Sequence, residues 1–152
     1  MSEDKDAVLR YGAMYLIGSA YIGTGHNKAL KKLLHFAVSD NDNNVRRAAV
    51  INIGFVLFKN YKQVPKTMSS LGMSYNAHVR YGVTLAIGIA CAGTGLPEAV
   101  KMLEPMLKDS ENFVKQGALI ATAMVLQAIP EGLEPKVKTF RQDLRDIIKT
   151  KR

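Results

Sequence analysis

Two kinds of hydrophobic pattern alternate along this chain. Segments such as 79–92 are apolar or small at nearly every position, which is typical of a helix buried on all sides. Segments such as 28–38 and 98–107 place apolar residues at helical spacing with polar residues between them, which predicts amphipathic helices. A strand is the competing interpretation of a short apolar run, but the lengths and the alternation favour helices. The pattern therefore predicts a succession of helix–turn–helix pairs.

The pairs repeat with a period of about 35 residues. Segments 10–25 and 80–95, which lie 70 positions apart, share an Arg-Tyr-Gly start, an internal glycine and a closing Gly-Thr-Gly. Weaker copies occupy 45–54 and 114–123. A stacked array repeats in this way because each unit buries its apolar face only against the next. We therefore predict an all-α fold, an α-solenoid of helix-turn-helix repeats. Its expected parts are an N-terminal lead-in at 1–8, four repeats at 9–130 and a terminal charged helix at 131–152.

Small residues recur at two fixed positions of the first helix in each repeat. The glycines at these positions are Gly12, Gly18, Gly54, Gly82, Gly88 and Gly117. A glycine inside a helix costs about 1 kcal/mol relative to alanine. We therefore expect each of the six to lie where the backbone of a neighbouring helix comes close.

The turns carry their own signals. The Gly-Thr-Gly segments 23–25 and 93–95 are predicted to end the first helices as C-terminal caps. A phosphate-binding loop would instead follow a strand and open a helix. Asn27 is the predicted N-cap of a second helix, and Pro97 is expected in the first turn of its copy. Pro105 is predicted to bend or end that copy early.

The amino-acid composition is ordinary for a folded soluble protein. Its 152 residues are 47% hydrophobic and 22% charged, and they are numerous enough to bury a core. The single cysteine, Cys91, is expected to be buried and inert, and it favours a reducing compartment, the cytoplasm or nucleus. The uncharged runs 11–27 and 81–97 contain glycine turns that leave helices of roughly 14 residues, shorter than a membrane span of about 20. The polar, acidic start is unlike a signal peptide. We therefore expect no membrane partner.

The net charge of +8 is unevenly distributed, since 26–66 contains eight Lys and Arg against two Asp. Lys28, Lys31 and Lys32 share the polar side of a predicted helix and form a possible binding face for an acidic protein partner; an ordinary solvated face is the alternative. Nucleic acid is a disfavoured partner because no aromatic residues interleave the basic ones. Arg46 and Arg47 coincide in register with Arg80, which suggests a structural role.

No residue set predicts catalysis, a cofactor or a metal site. The segment 40–44 imitates the opening of an EF-hand loop, but Val45 stands where the loop needs glycine and Ile51 where it needs glutamate. A capped turn is the preferred interpretation. The three histidines lack metal-binding spacing and partner cysteines, and they are expected in surface or capping roles. No nucleophile, base and orienting acid can be assembled, so we expect no small-molecule substrate.

The repeat resembles a known family. The run from His78 to Gly82, continuing through Gly88 and closing at 92–95, is similar to the proteasome/cyclosome repeat, as is 45–57. The resemblance covers about 9–141 and is greatest to the group of large non-ATPase base subunits of the proteasome regulatory particle.

That resemblance implies a solenoid that curves into a toroid and a non-catalytic scaffold that organises other proteasome subunits for ubiquitin-dependent degradation. Four repeats are too few to close a ring, so the chain is interpreted as a piece of the toroid. The alternative is a protein-binding solenoid module of another large, cyclosome-like complex that recruits an acidic partner through its basic face. An enzyme has no supporting residues.

Overall fold

The computed structural model describes residues 1–130 and 132–150, and the regular structure in these residues is entirely helical. The first helices of the four repeats are α1 (Ala7–Ala20), α3 (Asn43–Val56), α5 (Ala77–Ala90) and α7 (Asn112–Leu126). The second helices are α2 (Asn27–Ser39), α4 (Val64–Gly72) and α6 (Pro97–Leu103), and α8 (Pro135–Thr150) lies within the segment predicted as a terminal charged helix. Short 3-10 turns at Tyr61–Gln63 and Met106–Lys108 complete the second and third repeats. The predicted α-solenoid is confirmed.

The first helices form one continuous layer, in which α3 contacts α1 and α5, and α5 contacts α7. The second helices lie beside this layer, so that the core runs uninterrupted between the two. Large side chains that are completely buried come from both layers: Met14, Leu33, Ile53, Met68, Ile87 and Leu103. Each repeat therefore shares its core with its neighbours, as expected for stacked units that bury apolar surface only by stacking.

The position of a first helix in the stack decides whether it is buried all round. The prediction is confirmed for α5, in which no residue is exposed, because it lies between α3 and α7. It is wrong for α1, where Val8 is 73% exposed and Leu16 57%. Among the described residues α3 packs against one side of α1, and the opposite side faces solvent.

The turns adopt the predicted conformations, except that the N-cap of α2 lies one residue earlier than expected. All four glycines of the two Gly-Thr-Gly segments adopt left-handed backbone angles, with φ between 61° and 71°, just after the ends of α1 and α5. Pro97 opens α6, which ends at Leu103, just before Pro105. The N-cap prediction for Asn27 is wrong by one residue. His26 is the cap, since its Nδ1 accepts a hydrogen bond of 3.3 Å from the Ala29 N–H.

None of the helices in the described part of the chain has the length and apolar character needed to cross a membrane.

Candidate protein-interaction surface

The first helices meet along two faces that we define by the repeated small residues. The forward face points toward the following repeat and carries Gly18, Gly54, Gly88 and Ala123 in register. A Cβ atom placed on Gly54 would lie 2.6 Å from the Cα of Ala86, and one on Gly88 would lie 2.9 Å from the Cα of Ala121. Both distances are below normal van der Waals contact, so the helix backbones touch there.

The backward face points toward the preceding repeat and carries Gly12, Ala48, Gly82 and Gly117 in register. A Cβ atom on Gly82 would lie 2.9 Å from the Cβ of Val50, and one on Gly117 would collide with the side chains of Thr84 and Tyr81. Gly12 contradicts the expectation of close packing, because no atom of the described residues lies within 4 Å of a Cβ placed on it. Its face of α1 has no helix against it in the described residues.

Arg80 joins two turns at the same edge of the stack. Its Nε and Nη2 donate to the two carboxylate oxygens of Asp109, at 2.7 and 3.0 Å, and its Nη1 donates to the carbonyls of Ser74 and Tyr75. The hydrogen bond from Arg80 lowers the pKa of Asp109 below its ordinary value. Asp109 also accepts the Glu111 N–H at 3.0 Å, which orders the turn before α7.

The first repeat contains the same clamp 70 positions earlier. Arg10 donates to both oxygens of Asp40, at 2.8 and 3.1 Å, and to the carbonyls of Asp4 and Lys5. Asp40 is 7% exposed, and the hydrogen bond from Arg10 lowers its pKa. Bidentate arginine–carboxylate pairs of this kind fix geometry as well as charge. Arg10 therefore stabilises the turn at 40–44, whose sequence resembles the start of an EF-hand loop.

Arg46 and Arg47 also contact the protein itself. The Nε of Arg46 donates to the carbonyl of Asp40. The guanidinium of Arg47 donates to Asn44 at 2.8 Å and lies 5.8 Å from the ring centre of Tyr81, on the next first helix. These contacts fit the structural role expected from the register.

The Gly-Thr-Gly turns bind the following repeat, a contact that the sequence analysis missed. The N–H groups of Gly23 and Gly25 donate to the carbonyls of Phe55 and Val56, both at 3.0 Å. The equivalent bonds in the second half of the chain join Gly93 to Met124 and Gly95 to Val125, at 2.8 and 2.9 Å. Each turn thus caps a helix C-terminus about 30 residues downstream, whose carbonyls would otherwise lack helical partners.

The predicted basic face is present on α2. Lys28, Lys31 and Lys32 are all exposed and, at spacings of three and four residues, they lie on one side of the helix. One carboxylate approaches them, since the Nζ of Lys32 lies 3.9 Å from the Oε1 of Glu3. Both side chains are largely solvated, so this pair adds little stability. The three lysines therefore remain exposed to solvent on one side of α2.

His78 and Cys91, two other candidate residues, are packed against neighbouring side chains. His78 was expected at the surface or as a cap, but Asn76 caps α5, and the half-buried ring of His78 stacks on Phe113 with centres 5.3 Å apart. Cys91 is completely buried, as expected, and burial raises the pKa of its thiol to about 11. The described residues contain no group of three or more His, Cys, Asp or Glu side chains arranged to hold a metal ion.

Comparison with known proteins identifies similar sequences. The family described as HEAT repeats matches residues 30–123. The chain is 57% identical over 152 residues to the 26S proteasome non-ATPase regulatory subunit 1 of Drosophila melanogaster, and 53% identical over 148 residues to homolog B of that subunit in Arabidopsis thaliana. It is 47% identical over 151 residues to the 26S proteasome regulatory subunit RPN2 of Saccharomyces cerevisiae. These alignments cover 97–99% of this chain, which spans 15–16% of the length of the relatives.

Proposed function

Because this chain belongs to the HEAT-repeat family, we propose that it acts as a non-catalytic scaffold segment of the proteasome regulatory particle. In this role it holds other regulatory-particle subunits in place for ubiquitin-dependent protein degradation in the cytoplasm and nucleus. The observation that carries the proposal is the 47–57% identity to proteasome regulatory subunits over nearly the whole chain. The four repeats form part of a longer toroid in this proposal.

The mechanism of a scaffold is geometric, and three features of the stack supply rigidity. The backbones of successive first helices touch at Gly54 and Gly88. The Gly-Thr-Gly turns hydrogen-bond across the junction to the next helix. The two arginine–aspartate clamps pair residues that are 30 and 29 positions apart in the sequence. A stack fixed in this way presents its outer surfaces at constant spacing, which is what a platform for several subunits requires.

Affinity purification of the tagged chain from cells, with quantitative mass spectrometry, tests this proposal. We expect regulatory-particle subunits to be enriched over a tag-only control. The matched variants are Gly54→Leu, which disrupts the contact of α3 with α5, and Gly12→Ala, which meets no atom within 4 Å. Enrichment should be lost in the first and retained in the second. A chain that is helical by circular dichroism but enriches no regulatory-particle subunit would contradict the proposal.

The second candidate function is recruitment of an acidic protein partner through Lys28, Lys31 and Lys32. The observation in its favour is that all three charges are exposed on one side of α2 in a chain of net charge +8. Complementary charge accelerates association and makes binding sensitive to salt. A binding module of a cyclosome-like complex would use the face in the same way.

Charge reversal tests whether the three lysines bind a partner or form an ordinary solvated surface. The triple variant with glutamate at the three α2 lysines should lose an identified partner at low salt, and the difference from the unmodified chain should shrink as salt is raised. The matched control reverses three exposed lysines on other segments of the second layer, Lys62, Lys66 and Lys101. Equal losses in both variants would mean that net charge, rather than this face, is recognised.

A further inference from the structure

An apolar groove lies between α4 and α6, in the interior of the stack. It has a volume of about 340 Å³, and its apolar lining consists of Met73, Met102, Pro105 and Met106. The second and third repeats, which form the groove, each have a further repeat packed beside them, since α3 contacts α1 and α5 contacts α7. The exposure of the groove therefore does not arise from an open end of the stack.

The turn beside the groove presents two apolar side chains on an ordered backbone. Met73 is 80% exposed, and Tyr75 is fully exposed. The guanidinium of Arg80 donates to the carbonyls of Ser74 and Tyr75, and it also holds Asp109, which lines the groove. A backbone that is ordered before binding lowers the entropic cost of using its side chains as anchors.

The corresponding surface one repeat earlier carries polar residues. In the 35-residue register, Thr67 and Ser70 occupy the positions of Met102 and Pro105. Stacking of the repeats therefore does not require apolar residues at these positions. An apolar surface that folding does not require is typical of a binding site.

The charge beside α4 is entirely positive. No Asp or Glu occurs between Asp42 and Glu98, whereas this segment contains six Lys and Arg. The exposed cations among them are Lys59, Lys62 and Lys66, which lie in α4 and in the turn before it. This wall of the groove therefore attracts a negatively charged ligand.

Each wall of the groove places a lysine about one helical turn from its lining. On α4, Lys66 precedes Ser69 by three residues. On α6, Lys101 precedes Pro105 by four residues, through backbone that keeps α-helical angles. Residues at these spacings share one side of a helix, and both lysines are exposed.

The carboxylates on the α6 side leave this positive charge largely uncompensated. The Oε1 of Glu104 lies 3.7 Å from the Nζ of Lys136, and Asp109 is held by Arg80. Glu98 lies in the first turn of α6, away from the end of the groove that contains Pro105. An acidic ligand is therefore favoured over a basic one.

We propose that this groove binds a segment of another protein in which Asp or Glu residues flank one or two large apolar residues. The apolar side chains lie between Met73 and Met102, whose flexible thioethers adapt to their shape. The carboxylates of the ligand lie near Lys66 and Lys101. Tyr75, of a residue type enriched at binding hot spots, packs beside Met73. This inference does not depend on which complex the chain belongs to.

The size of the groove fits this kind of ligand. Its volume of about 340 Å³ lies at the small end of the range of about 300–1,000 Å³ that is usual for ligand pockets. A cavity of this size accommodates a few anchoring side chains, while the flanking charges bind outside it. The recognition is therefore that of a short peptide segment.

Selection from a random peptide library displayed on phage, with the purified chain as bait, tests the proposal. We expect the selected peptides to combine large apolar residues with flanking Asp and Glu. Fluorescence anisotropy of labelled synthetic copies then gives the Kd. The Kd should rise as salt is added, because salt screens the attraction between exposed charges.

Two substitutions at equivalent positions locate the binding site. Met73→Glu places a negative charge at the groove, and Val38→Glu places the same charge at the corresponding position one repeat earlier. Both replaced side chains are mostly exposed, at 80% and 60%, so the fold should be unchanged. Met73→Glu should raise the Kd by about tenfold or more, as expected for loss of an anchor residue, and Val38→Glu should leave it nearly unchanged. Met102→Thr, which introduces the residue type of Thr67, should also weaken binding.

A second pair of variants tests the role of charge. Lys66→Glu combined with Lys101→Glu should weaken peptide binding. Lys28→Glu combined with Lys31→Glu changes the net charge by the same amount on α2 and should not. Equal losses in the two double variants would mean that the peptides recognise net charge rather than the groove.

Three further results would overturn the proposal. A selection that yields no peptide binding above background shows that the groove has no such ligand. Peptides that bind Met73→Glu as tightly as the unmodified chain place the site elsewhere. Self-association of the unmodified chain in sedimentation velocity that is lost in Met73→Glu and kept in Val38→Glu would make a second copy the occupant.

Discussion

The Cα of Ala86 lies 2.6 Å from the place where a Cβ of Gly54 would be, so α3 and α5 touch through their backbones. The same contact recurs one repeat later between Gly88 and Ala121. At these points the backbone of one helix occupies the volume of the side chain that the other helix lacks. The small residues therefore set the distance between successive repeats.

Alanine substitution at two repeat glycines should change stability in opposite directions. Gly54→Ala pushes a methyl group into the backbone of α5, and we expect overpacking to cost about 1–3 kcal/mol in the free energy of unfolding. Gly12→Ala meets no atom within 4 Å, and it should stabilise α1 by roughly 1 kcal/mol through helix propensity. Urea unfolding followed by circular dichroism measures both. A stabilised Gly54→Ala variant would contradict the packing explanation.

The Arg80–Asp109 clamp should make a measurable contribution to stability. Both side chains are mostly buried, with 17% and 10% of their surfaces exposed. Arg80→Ala leaves the carboxylate of Asp109 and the carbonyls of Ser74 and Tyr75 without their donor, and we expect a loss of about 1–3 kcal/mol. Urea unfolding at pH 7 measures the loss. Lys101→Ala, which removes an exposed positive charge, should change stability by less than about 0.5 kcal/mol.

Acid should remove the contribution of both clamps. Asp40 and Asp109 have pKa values below their ordinary value of 3.8 because Arg10 and Arg80 favour the charged form. A carboxyl group whose pKa is depressed by folding contributes stability above its unfolded pKa, and this stability is lost as pH falls through the folded pKa. The unmodified chain should therefore lose its advantage over the Asp40→Asn, Asp109→Asn double variant below about pH 4. Urea unfolding between pH 7 and pH 2 measures that difference.

The control for the acid experiment is Asp143→Asn, which alters an exposed carboxylate on α8. Its stability difference from the unmodified chain should stay small across the range. A difference for the double variant that stayed constant from pH 7 to pH 2 would show that the clamps act through shape rather than charge.

The spacing of small residues was sufficient to predict the solenoid, because packing of one repeat on the next constrains the same positions in every copy. The spacing was not sufficient to predict which of these glycines contact a neighbouring helix. Gly12 and Gly82 both end an Arg-Tyr-Gly segment, yet among the described residues only Gly82 has a helix against it. Local sequence specifies the shape of a face, whereas the neighbour that fills it depends on position in the stack.

Contacts between repeats were the main part of the site that sequence reasoning missed. The glycines of 23–25 were correctly predicted to adopt cap conformations, since a left-handed turn has a local signature. The carbonyls of Phe55 and Val56 that they bind carry no such signature. Asp109 likewise looks like an ordinary turn residue until Arg80, 29 positions earlier, is placed beside it.

The backbone keeps its left-handed conformation at the turn even where the residue is not glycine, which leads to a fourth prediction. Ala128 has φ of 65° and is the counterpart of Gly93, whose φ is 69°. A residue with a Cβ atom pays roughly 1 kcal/mol or more in this conformation. Ala128→Gly should therefore stabilise the chain by about that amount in urea unfolding.

The control for this prediction replaces an alanine within a helix. Ala123→Gly in α7 should destabilise the chain by roughly 1 kcal/mol, because glycine is a poor helix former. Urea unfolding followed by circular dichroism measures both. If both substitutions destabilised the chain equally, the backbone at Ala128 would not be strained.

The single thiol reports on opening of the core between α5 and its neighbours. Cys91 is completely buried, and burial raises its pKa to about 11, so both access and thiolate formation are suppressed in the folded chain. Labelling by a thiol reagent at pH 8 should therefore be far slower in native buffer than in urea, with a final stoichiometry of one per chain. It should accelerate in Gly54→Ala, since a destabilised stack opens more often. Native labelling as fast as in urea would mean that this part of the core is accessible without unfolding.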